Sequence, residues 1–143
     1  MAAYREILLA VDFQPDCERV AERAVDVAER YGASLTLLHV VENLPVEPGN
    51  ELMIPPATTV ESELLENAER RLAELGRRLG IPAERQHVTV GQTKYQVVTF
   101  AEENGVDLIV VGSHGRHGLA LLLGSTANAL LHGAKCDVLA VRL

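Results

Sequence analysis

The chain has 143 residues, 48% of them apolar, and a formal net charge of −7. This predicts a single folded domain over 1–143 and excludes a disordered polymer. With Lys94 and Lys135 as the only lysines, it also argues against a general nucleic-acid binder, and no apolar run reaches the roughly 18 residues of a membrane-spanning helix. In chain order, Glu6–Val11 (EILLAV) is a continuous apolar run ending at Asp12 and reads as a buried strand. Phe13–Asp16 is a loop with Pro15. Cys17–Tyr31 carries Val20, Ala21, Ala24, Val27 and Ala28 at helical spacing, and Gly32 closes it. Ser34–Val41 (SLTLLHVV) is a second strand.

Residues 42–59 form a long connection with Pro45, Pro48, Pro55 and Pro56, expected to be a flexible loop over about 43–59. Val60–Gly80 reads as a helix. Thr58 and Glu61 have capping-box spacing, and Val60, Leu64, Leu65, Ala68, Leu72, Leu75 and Leu79 make an apolar stripe. Gln86–Val90 is a third strand, Tyr95–Asn104 a helix capped by Gly105, and Leu108–Val111 a fourth strand. Ser125–His132 is a fourth helix, and Asp137–Arg142 the last strand. Strands alternating with helices predict an α/β fold: one open parallel sheet with helices on both faces, Rossmann-like. In such a sheet the ligand sits beyond the strand carboxyl ends, where the strand order reverses. Cys17 and Cys136 would then lie near opposite ends of the sheet, too far apart to bridge. The opening MAAYREILLAVD lacks a cationic leader, so it is not expected to be a signal peptide. Two free thiols in a reducing cytoplasm are expected.

Function concentrates between Leu108 and Cys136, which contains no acidic residue despite the acidic chain. An apolar strand feeds a loop with Gly112, Gly115 and Gly118, and a helix opens at Gly124-Ser125-Thr126. Glycines let backbone N–H groups approach an anion, and the helix N-terminus favours negative charge. The alternative is a tight βα turn with ordinary capping by Ser125. Three strand ends converge on this crevice: Ala10-Val11-Asp12, His39-Val40-Val41-Glu42, and Gly112-Ser113-His114-Gly115. Asp12 is either a polar anchor for a ligand hydroxyl or a metal-bound water, or a cap for the following helix. His114 and His117 lack the further ligands a zinc site needs, and no metal is expected. No nucleophile elbow, P-loop or first-strand dinucleotide fingerprint is present.

The segments ILLAVDFQPDC, LTLLHVVE, DLIVVGSHGRHGLALLLGSTANALL and GAKCDVLAVRL resemble the universal stress protein family over essentially the whole chain. The resemblance implies a five-stranded parallel sheet in the order 3-2-1-4-5, of the adenine nucleotide alpha hydrolase-like type. It also implies a homodimer through the last strand. In ATP-binding members, phosphates lie on G-x-x-G followed, nine residues on, by G-[ST], with adenine near the first two strand ends. Carried over, Asp12 would meet the ribose, and Val40 would line the adenine pocket. Gly112, Gly115, Gly124 and Ser125 would hold ribose and phosphates, with Thr126 adjoining, and Ala10, Val11, Ser113, His114 and Arg116 are counted among the nucleotide-binding residues. The implied ligand is ATP or AMP, with Mg, bound for regulation and hydrolysed slowly at most. Here only eight residues, Arg116–Leu123, separate Gly115 from Gly124, one fewer than in the ATP-binding pattern. Some members with altered loops do not bind ATP. The shorter spacer leaves a second expectation, a dimeric interaction module that works without nucleotide.

Overall fold

The computed structural model describes residues 4–42, 57–113 and 125–142. Strand and helix alternate within them: β1 (Glu6–Val11), α1 (Cys17–Tyr31), β2 (Ser34–Val41), α2 (Ala57–Leu79), β3 (Gln86–Val90), α3 (Thr93–Glu103), β4 (Leu108–Gly112), α4 (Ser125–Gly133) and β5 (Asp137–Val141). A short 3₁₀ turn at Ala83–Arg85 leads into β3. The strands form one parallel sheet in the order β3-β2-β1-β4-β5. β1 is therefore central. The chain leaves it toward β2 on one side and returns to β4 on the other, which sets the switch point at the β1–β4 boundary.

The continuous apolar runs follow from burial on both faces. Ile7, Leu9, Leu35, Leu37, Leu108 and Val110 pack with α1 and α2 residues on one face. Leu8, Leu38, Val40, Ile109 and Val111 pack with Val97, Ala101, Ala127 and Leu130 of α3 and α4 on the other. Each fully buried aliphatic side chain contributes roughly 1.5–3 kcal/mol. On α1 the buried positions are Val20, Ala21, Ala24 and Ala28, small residues that let the helix lie close to the sheet. Gly32 ends α1 in the left-handed conformation at φ 64°, its N–H returning to Ala28 and Glu29.

Specific polar contacts tie the amino ends of the strands. The Asp107 carboxylate accepts the N–H of Arg5 at 2.9 Å and of Glu6 at 3.2 Å, while Asp107 N–H donates to the Glu6 carbonyl at 2.9 Å. These bonds fix the start of β1 against β4. The Tyr4 hydroxyl donates to Asp137 at 2.8 Å, joining β5 to the same end.

Several boundaries differ from those read in the sequence. α2 begins at Ala57, so Thr58 lies inside the helix and not at the capping position before it. Within the apolar stripe, Ala68, Leu72 and Leu75 are buried, whereas Leu64 is 39% exposed. α3 starts two residues earlier than expected, at Thr93. Gly112 belongs to β4, paired with Val141, and not to the loop. The expected flexible loop lies, over 43–56, outside the described residues. Cys17 and Cys136 are free thiols.

Candidate functional site

The carboxyl ends of β1, β2 and β4 are adjacent because these strands are neighbours in the sheet. β1 delivers Ala10, Val11 and Asp12. Ala10 is half-buried on the α3–α4 face, Val11 is buried on the other, and Asp12 stands exposed just past the strand. Asp12 does not cap α1, whose N-cap position is Asp16. Its Oδ1 instead accepts the N–H of Gln14 at 3.0 Å, a local turn that sets the carboxylate at the strand end. β2 delivers Val40, 8% exposed and packed on the α3–α4 face. Glu42 follows, and its Oε1 accepts the Thr93 hydroxyl at 2.8 Å, joining the exit of β2 to the start of α3.

β4 delivers Gly112 and Ser113. Ser113 is buried, and its N–H donates to the Val141 carbonyl at 2.8 Å. That donor is therefore committed to β5 and is not one a phosphate would receive. α4 begins at Ser125, with Thr126 half-buried in its first turn. His114, Gly115, Arg116 and Gly124 lie outside the described residues. The structure thus brings Ala10, Val11, Asp12, Val40, Gly112 and Ser113 to one end of the sheet.

Three side chains cluster on the residues flanking Asp12: His39, which the sequence placed at a converging strand end, and Phe13 and Arg71, to which it gave no role. His39 Nδ1 lies 2.6 Å from the Val11 carbonyl, an acceptor, so this nitrogen carries the proton. The His39 ring packs on Phe13 with centroids 4.5 Å apart, and the Arg71 guanidinium sits 4.4 Å over the same ring. Their spacing along the chain gave no signal, because β2 and α2 bring them in from distant segments. At the opposite, amino end of the sheet a cleft of about 340 Å³ is lined by Thr36, Arg85, His87, Phe100 and Asn104, among others. There Arg85 donates to Glu6 at 3.2 Å and to the Thr36 hydroxyl at 3.1 Å, so its cation is already paired. That cleft is remote from the switch point and is not the candidate site.

The model of the universal stress protein family matches residues 3–142. The chain belongs to the universal stress protein family. Universal stress protein A homolog 1 of Coxiella burnetii is 46% identical over 138 residues, covering 96% of each chain. Among solved structures, universal stress protein UspA from Lactobacillus plantarum superposes with a TM-score of 0.81 at 23% identity, covering 97% of this chain and 98% of that one. A universal stress protein solved in complex with cAMP superposes with a TM-score of 0.68 at 25% identity, covering 97% of each chain. The family's strand order is the one found here. In this universal stress protein the ends of β1 and β4, with Asp12 and with Gly112 and Ser113, lie side by side at the switch point.

Proposed function

We propose that the chain binds an adenine nucleotide, ATP or AMP, at the carboxyl ends of β1, β2 and β4, as a regulatory ligand in the cytoplasmic stress response. The observation that carries this reading is the exposed Asp12 carboxylate, fixed by its own turn beside β4 at the switch point of a parallel sheet. A carboxylate there suits the paired hydroxyls of a ribose. The glycine-rich loop after β4, free of acids, suits phosphates, and Mg would accompany a triphosphate. The related protein solved with cAMP supports an adenine ligand. Hydrolysis would require a positioned base and a cationic clamp on the transferred phosphate, and Arg116 is the loop's one arginine. Regulation by occupancy is therefore the function proposed, with turnover slow at most.

Two observations favour a second reading, a dimeric interaction module that works without nucleotide: the eight-residue spacer and the commitment of the Ser113 N–H to β5. Calorimetric titration with Mg-ATP and with AMP separates the two. The proposed function expects micromolar to sub-millimolar binding. Gly115→Val should abolish it while the fold persists, since a β-branched side chain would fill the phosphate cradle. No heat and no thermal stabilisation at millimolar ligand would refute nucleotide binding and leave the second reading.

A further inference from the structure

Phe13 follows Asp12 directly and is the one non-glycine at positive φ among the described residues, at 55°. A bulky side chain in the left-handed region is strained and persists only where its surroundings over-determine it. Such strain clusters at binding sites. Here the surroundings are visible. Arg71 of α2 places its guanidinium 4.4 Å over one ring, and its Nη2 reaches to 3.5 Å from the Phe13 carbonyl. His39 of β2 packs on the same ring and holds the Val11 carbonyl at 2.6 Å. Both neighbours of Asp12 are thus gripped by side chains from other elements, and Asp12 itself is turned by the Gln14 N–H.

We infer that Arg71 is a positioning residue for the nucleotide: by stacking on Phe13 it holds the left-handed turn that presents Asp12 to the ribose. This rests on the adenine-nucleotide reading above. Arg71 itself is exposed, touches the ligand nowhere in this scheme and acts through the backbone of residues 12 and 13. The arrangement makes α2 part of the site although its sequence carries no ligand-binding motif.

The test pairs a conformational readout with an affinity readout. A positive φ brings a residue's amide and α protons together, giving a strong intraresidue Overhauser effect at Phe13. In Arg71→Gln this effect should weaken. Affinity for AMP and Mg-ATP should fall about two- to fivefold, the scale of an exposed cation–π contact. The melting temperature should barely move, because Arg71 lies on the surface. Phe13→Gly supplies the same φ without strain, so adding Arg71→Gln to Phe13→Gly should cost no further affinity. Arg71→Gln with an undiminished Phe13 effect overturns the inference whatever the nucleotide does, as do additive losses in the double variant. A parent protein that binds neither AMP nor Mg-ATP overturns the proposed function and the positioning role with it, even where the Phe13 effect weakens.

Discussion

Asp12→Ala separates the structural use of the carboxylate from its use in binding. Among the described residues the Asp12 carboxylate accepts one hydrogen bond, from the exposed Gln14 N–H at 3.0 Å. Losing it costs about 0.5–1.5 kcal/mol, which for a domain of this size lowers the melting temperature by roughly 1–6 °C. The bond to a ribose hydroxyl is a different quantity. A hydrogen bond to a charged group contributes about 1.5–3 kcal/mol, so its loss should weaken AMP or Mg-ATP binding roughly 10- to 100-fold. Asp12→Asn keeps an acceptor oxygen without the charge and should fall between parent and Asp12→Ala. The ribose is implicated directly by 2′,3′-dideoxy-ATP, which should bind the parent weakly and lose nothing more in Asp12→Ala. Titration calorimetry and thermal melts on the same samples read both quantities. An Asp12→Ala variant that binds AMP within twofold of the parent would refute the assignment of Asp12 to the ligand. Equal sensitivity of ATP and dideoxy-ATP to the substitution would refute the ribose contact.

The other predictions address assembly, the scaffold and the thiols. β5 is an edge strand without proline or lysine, so a homodimer pairing two copies along it is expected. The Val141 carbonyl faces β4, so Ala140 faces outward, and Ala140→Pro should give a folded monomer by sedimentation; an unchanged dimer would place the contact elsewhere. Asp107→Ala strands two backbone N–H groups at the amino end and should lower stability by about 2 kcal/mol, read by urea unfolding, while nucleotide affinity stays at the parent value. Burial raises the pKa of both Cys17 and Cys136, with the Asp12 carboxylate adding to the first. Both should alkylate with iodoacetamide more slowly than free cysteine at pH 8. Above the ordinary thiol pKa the unfolded chain releases these protons before the folded one, so their effect on stability is complete below that pH and is lost as pH rises further.

The central strands were legible because burial on both faces leaves a continuous apolar signature. EILLAV and SLTLLHVV were bounded to the residue, as were the half-buried edge strand QHVTV and α1, where small apolar positions repeat and Gly32 must take positive φ. The entry to α2 was not legible. Thr58 offers an attractive cap, but the helix already includes Ala57, a boundary that the spacing of apolar residues does not encode. At the site, Asp12 could be singled out because it directly follows a strand, whereas Val40, one residue before the end of β2, was named only through the family resemblance. The left-handed turn at Phe13 could not, since phenylalanine gives no hint of positive φ, and its cause, Arg71, lies 58 residues away. The commitment of the Ser113 N–H to β5 was hidden for the same reason: pairing partners are set by the sheet, not by the loop that contains the residue.

The central place of β1 has a consequence for how the chain is made. Its partner on one side, β2, follows closely, with Glu6 opposite Ser34. Its partner on the other, β4, comes late: the bonded pair Glu6 and Asp107 are 101 residues apart. At synthesis rates of about 5–20 residues per second, one flank of β1 waits roughly 5–20 s for its neighbour to be translated. During that interval EILLAV has an open, apolar edge and the candidate crevice does not exist, because β4 supplies one of its walls. β1 is therefore open to mispairing until β4 is made, and a ligand held between them can aid folding only after that point.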